Sequence, residues 1–185
     1  MEERIVMDTN RFFARNGLDK KLKGVMEKAI GGDGDSQFSI ANQILEIVKS
    51  TSSKLYLLWM VEAADSGCVM AQFLLSEDKE IQDRRKYDSL LVTNPKTPMQ
   101  VKDYALLVLA DDLYKNGDMS CIGMYEEVLK DDPRNKVACY RLSDLYLRNN
   151  DREKAGKMFR LYRKLYRQIL DVGYEDPLSL KERLK

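Results

Sequence analysis

The sequence contains no histidine. That removes the commonest general base near neutral pH and a favoured metal ligand. The expectation is a protein that is not an enzyme, with no cofactor, no metal and no small-molecule substrate. Cysteine is scarce: Cys68, Cys121 and Cys139 stand alone. An odd, sparse set gives neither a disulfide framework nor metal-ligand spacing, and it suits a reducing compartment. None of the ten glycines falls in a GxGxxG or GxxxxGK arrangement, so no phosphate-cradling loop is evident. No apolar run approaches the length of a membrane span. The charged start Met1-Glu2-Glu3-Arg4 leads into no apolar stretch of the kind a signal peptide has. The expected location is cytoplasmic. The formal net charge is only +1, so no global field draws the chain to nucleic acid or to an anionic membrane.

What the 185 residues do hold is a globular balance, 44% hydrophobic and 33% charged, and an internal repeat. The pattern Ala-x-x-x-Leu occurs at Ala41-Leu45, Ala71-Leu75, Ala105-Leu109 and Ala138-Leu142, at steps of 30, 34 and 33 residues. Residues four apart share a helix face, and a small residue below a large one suits close helix packing. A second pattern is offset from the first. Tyr87 runs to Asn94-Pro95 as Tyr125 runs to Asp132-Pro133, each with two polar and then two apolar residues after the tyrosine. Trp59 precedes Gly67 by the same distance, and Phe159 precedes Arg167 likewise but without a breaker. Each reads as a helix with its aromatic facing the core, stopped by proline or glycine.

The alternation predicts an all-α chain of stacked helical hairpins. First helices are expected near 36–49, 68–76, 98–116 and 135–149. Second helices are expected near 52–65, 79–93, 119–131 and 151–171. Residues 1–35 form an N-terminal segment with a capping helix near 18–30. Residues 36–171 carry about four hairpins, and residues 172–185 a short helix or tail, with Asp176-Pro177 as its start. Thr97-Pro98 reads as an N-cap before a first-turn proline.

Residues 103–169 resemble two tetratricopeptide repeats. Leu109-Ala110, Gly117, Tyr125 and Pro133 stand where that family has its Leu-Gly, Gly, aromatic and Pro. Leu142-Ser143, Tyr146, Ala155 and Phe159 match in the next repeat. The first is one residue short in its turn, and the second lacks the closing proline. Residues 55–75 look more like a Sel1-like repeat, in Leu58-Trp59, Ala63-Ala64, Gly67 and Ala71-Gln72. Glu27-Lys28-Ala29 with Gly32 echoes Glu62-Ala63-Ala64 with Gly67 at a shift of 35. The resemblance implies an α-solenoid with a right-handed superhelix, acting as a protein-binding scaffold or adaptor. Such arrays mostly hold proteins, and their targets vary.

In that family the first helix of each repeat lines the concave face. Carried over position by position, the groove would present Tyr104, Leu107, Val108, Asp111, Tyr114 and Lys115 from one repeat. The next would present Val137, Tyr140, Arg141, Asp144, Leu147 and Arg148. The weaker alanine register adds Met70, Phe73, Leu74 and Glu77, then Ile40, Gln43, Ile44 and Ile47. The resemblance thus makes Tyr104, Leu107, Asp111, Tyr114, Tyr140, Arg141, Asp144, Arg148, Phe73 and Glu77 the partner-binding set, for a peptide, helix or loop of another protein. The Lys/Asn set with which some members clamp a C-terminal carboxylate is absent, since Asp111 and Asp144 stand there.

Other signals are weaker. Gly31-Gly32-Asp33-Gly34-Asp35 evokes a calcium loop, but Phe38 and Ile44 occupy the positions that need Gly and Glu; an inter-helix loop capped by Asp35 or Ser36 is expected. Cys68 sits at a helix start yet lacks a basic partner. The pairs Asp111-Asp112 and Asp131-Asp132 point in different directions on a helix. Between 151 and 171, seven Lys/Arg face three Asp/Glu, with Arg160, Arg163, Lys164 and Arg167 on one stripe. This reads as a solvated cap, with nucleic-acid or acidic-partner binding as the alternative. A self-associating structural subunit, in effect a homodimer, is a further alternative.

Overall fold

The computed structural model describes residues 3–167. The expected helix within 172–185 therefore lies outside the described residues, as does the end of the last long helix. The described residues form ten α-helices and no strand. They are α1 (Glu3–Arg15), α2 (Asp19–Ile30), α3 (Gly34–Val48), α4 (Lys54–Asp65), α5 (Val69–Glu77), α6 (Arg84–Thr93), α7 (Met99–Lys115), α8 (Cys121–Asp131), α9 (Lys136–Arg148) and α10 (Arg152–Arg167). The chain divides between Thr97 and Pro98 into two compact units. The first holds α1–α6 and the second α7–α10.

Both repeat patterns mark core positions. Ala41, Ala71, Ala105 and Ala138 are fully buried, and the aromatics Trp59, Tyr87, Tyr125 and Phe159 are all buried. Small residues let one helix approach another, and a large ring fills the space beside them. Within each unit consecutive helices pack on each other: α2 on α3, α3 on α4, α4 on α5 and α5 on α6, then α7 on α8, α8 on α9 and α9 on α10.

One turn recurs in both units. After α1, α2, α4, α7 and α9 a residue adopts a left-handed backbone: Gly17, Gly32, Gly67, Gly117 and Asn150. The following N–H reaches the carbonyl five residues back, as from Leu18 to Phe13, Asp33 to Lys28, Cys68 to Ala63, Asp118 to Leu113 and Asp151 to Tyr146. This is the Schellman closure, which satisfies helix-end carbonyls and needs a residue that tolerates positive φ. Asn150 takes the role where glycine is missing. The echo at a shift of 35 extends into hydrogen bonding. Gln37 Nε2 donates to the Ala29 carbonyl at 3.0 Å, and Gln72 Nε2 to the Ala64 carbonyl at 2.8 Å.

Three local expectations are corrected. The glycine-rich loop is capped by Asp33, whose carboxylate accepts from the Ser36 N–H at 3.0 Å, rather than by Asp35 or Ser36. Gly34 lets the backbone approach closely there: a Cβ would sit 3.1 Å from the Ala63 and Ser66 carbonyl oxygens, tighter than ordinary van der Waals contact. Pro98 itself is the N-cap of α7, one residue later than expected. The N-terminal segment holds two helices, not one: α1 precedes α2 and packs on both α2 and α4. Its Thr9 is buried, donates to the Ile5 carbonyl at 2.7 Å and accepts from Trp59 Nε1 at 2.8 Å.

The first unit also buries a carboxylate. Asp88 on α6 is almost wholly enclosed; one oxygen accepts from Arg85 at 2.8 Å and the other has no hydrogen-bond partner among the described residues. Burial raises its pKa above the ordinary carboxylate value, and Arg85 opposes that only in part. A raised pKa means the folded state holds the proton more tightly. The stability gained from protonation is present in acid and lost as pH rises through the folded value. Asp88→Asn is therefore expected to raise Tm at pH 7 by about 2–4 °C, the shift that 1 kcal/mol gives a chain of this size. The difference should shrink towards pH 4. A lower Tm at pH 7 would mean that the Arg85 pair outweighs the burial cost.

Candidate functional site

The predicted groove residues of the second unit come from α7 and α9, and the structure joins these helices through side chains. Tyr104, Leu107, Asp111 and Tyr114 step by helical spacing along α7, so they share a face. Val137, Tyr140, Arg141, Asp144 and Arg148 do the same on α9. Arg141 Nε donates to Asp111 Oδ1 at 3.0 Å, and the Tyr114 hydroxyl donates to Asp144 Oδ2 at 2.7 Å. Arg148 donates to the Tyr114 hydroxyl at 3.2 Å and pairs with Asp144 at 2.6 Å. The guanidinium of Arg141 lies 4.3 Å from the Tyr114 ring centroid and that of Arg148 lies 4.8 Å from it. Two cations thus lie near one aromatic ring while two carboxylates accept their hydrogen bonds.

A further member was not foreseen. Tyr125 of α8, expected only as a core aromatic, donates its hydroxyl to Asp111 Oδ1 at 2.5 Å. Burial, followed by this hydrogen bond to a carboxylate, pushes the Tyr125 pKa far above its usual value. Burial and the Asp144 bond raise Tyr114 in the same way. Both tyrosines therefore remain neutral donors throughout the physiological range. The signal for Tyr125 was legible in principle, since a core tyrosine needs an acceptor for its hydroxyl.

The charges on this face are spent within the molecule: Asp111 with Arg141, and Asp144 with Arg148. Asp144 is only 3% exposed. What remains open lies towards the start of each helix. Tyr104 is 42% exposed and Val137 is 46% exposed. Each directly precedes the repeat alanine, as Met70 does on α5, where it is 52% exposed. Leu107 and Val108 are half-buried, and the Tyr140 ring packs on Tyr162 of α10 with centroids 5.4 Å apart.

In the first unit Phe73 is half-buried, whereas Glu77 and Leu74 are exposed on α5. Ile40 and Ile44 are fully buried in the core and line no groove. Both belong to the core cluster that includes Phe13, Met26 and Trp59. Among the described residues no group of three or more His, Cys, Asp or Glu side chains is arranged to hold a metal ion. The three cysteines are free and buried. Burial raises each thiol, Cys139 to about 11, and outweighs the helix-start N–H groups at Cys68 and the Arg148 charge near Cys121, both of which act to lower the value. No family model, no curated protein and no solved structure matches the chain.

Proposed function

We propose that this protein is a cytoplasmic, non-catalytic adaptor: a tetratricopeptide- and Sel1-like solenoid that holds a helix, peptide or loop of a partner protein. The observation that carries this reading is the pair Tyr104 and Val137. They are large, exposed and apolar, and they occupy equivalent positions on two helices tied side by side by the Arg–Tyr–Asp network. Exposed tyrosine offers contact area at low entropic cost. The network holds the two helices in register, so the pair is presented on a rigid base rather than on a loop. Because the charges of this face compensate each other, the contact it offers is chiefly apolar, and binding to it should depend little on salt. No described helix is long and apolar enough to cross a membrane, and the three thiols are free.

The test is partner capture from the native cell, compared between variants. Tyr104→Glu together with Val137→Glu is expected to lower recovery at least about tenfold, as hot-spot aromatics do, with Tm within about 2 °C of the parent. Arg160→Glu with Lys164→Glu, on exposed positions of α10, should leave recovery intact. Undiminished capture by the first variant would sink the proposal.

A further inference from the structure

The second unit carries another recess, formed by different helices. A cleft of about 440 Å³ opens between α8, α9 and α10, within the size range of sites that take small groups or side chains. Its floor is apolar: Leu142 and Tyr146 of α9 are buried, and Leu129 of α8 and Met158 of α10 are half-buried. Its rim is basic. Lys130, Lys154 and Lys157 line it, all exposed, against the single carboxylate of Glu126. That carboxylate already accepts a hydrogen bond from the Tyr146 hydroxyl.

The lysines are available. The ion pairs of Lys130 and Lys154 are with neighbours one turn away, Glu127 at 3.0 Å and Asp151 at 3.7 Å. Exposed pairs of this kind contribute little and exchange readily. Lys157 makes no ion pair among the described residues. The cleft therefore pairs an apolar seat with exposed lysines, two held only by surface pairs and Lys157 by none among the described residues, whereas the carboxylates and guanidiniums of the α7/α9 face are bound to each other across or along the helices.

We propose that this cleft docks an acidic peptide segment of a partner protein, with an apolar side chain seated on Leu129, Leu142 and Met158 and flanking carboxylates held by the three lysines. Charge complementarity selects the occupant. Nucleic acid fits less well, because single strands are gripped by stacking on open aromatic faces. The one ring in the cleft, Tyr146, is buried and has the Lys154 ammonium 5.3 Å from its centroid. This docking is independent of the α7/α9 face, and the two are separated by their response to salt.

The experiment uses the full chain to select from a library of short random peptides, with a single-stranded oligonucleotide as competitor. Enriched peptides are expected to carry Asp or Glu around Leu, Met or Phe. A synthetic copy should bind saturably and weaken with added salt. Lys130→Glu with Lys157→Glu should reduce its affinity at least about tenfold, with far-UV circular dichroism unchanged, whereas Tyr104→Glu with Val137→Glu should not alter it. The proposal is overturned if nothing is enriched, if enriched peptides lack acidic residues, or if the lysine variant binds them as well as the parent does. It is equally overturned if the oligonucleotide displaces the peptide at lower concentration than the peptide itself, or if only the Tyr104/Val137 variant loses binding.

Discussion

Replacing Trp59 by alanine is expected to destabilise the first unit by about 3–5 kcal/mol, a large part of the 5–15 kcal/mol that typically separates folded from unfolded chains. Trp59 is 0% exposed and is the largest side chain in that core. Its removal leaves a cavity that the surrounding backbone cannot fully close. It also removes the donor that Thr9 receives, and with it the polar link from α4 to α1. Urea denaturation followed by far-UV circular dichroism should show a midpoint more than about 1 M lower, at slopes of about 1–3 kcal/mol per molar urea. Thr9→Val separates the two contributions. It keeps the volume but strands the buried indole N–H, at about 1–3 kcal/mol. If Trp59→Ala melts with the parent, α4 is not the centre of this core.

Asp144→Ala is expected to cost about 2–3 kcal/mol in the second unit. Removing one partner of a buried pair leaves the others unsatisfied, here the Tyr114 hydroxyl proton and the Arg148 guanidinium. Arg148 is partly exposed and can turn towards water, which keeps the figure at the lower end. Arg148→Glu should be comparably harmful, because it sets a second carboxylate against an enclosed one. Thermal melts check both, and Asp144→Asn should recover part of the loss by keeping an acceptor for Tyr114. A Tm within about 1 °C of the parent for Asp144→Ala would remove the network from the account of stability.

This alters how the α9 charges are understood. By helical spacing alone, Asp144 and Arg148 stand where a partner would meet them, and their substitution would touch binding but not stability. The structure has them holding α9 to α7. Spacing shows which residues share a helix face, but not how closely the neighbouring helix covers it. A second helix can close the C-terminal half of a face and leave its N-terminal half, at Tyr104 and Val137, uncovered. The core was more legible. A buried alanine followed four residues on by leucine, and an aromatic eight residues before a breaker, follow directly from helix geometry, and every one of those alanines and aromatics is buried. The helix that escaped the sequence reading, α1, is polar over most of its surface and places a threonine between Ile5 and Phe13 on its buried face. Thr9 breaks the apolar stripe because its role is to accept from Trp59, 50 residues away, and periodicity carries no trace of so distant a partner.

That distance bears on how quickly the chain reaches its fold. Nearly all the extensive helix packings join consecutive helices, so most contacts form between segments already close along the backbone. Such low contact order favours folding in microseconds to milliseconds. The docking of α1 on α4 is different, because two helices, α2 and α3, lie between them and the loop must close against its own chain entropy. The hydrogen bond from Trp59 to Thr9 is accordingly placed to form after the hairpins have assembled. Since Trp59 is the only tryptophan, its fluorescence is a built-in clock for that last step.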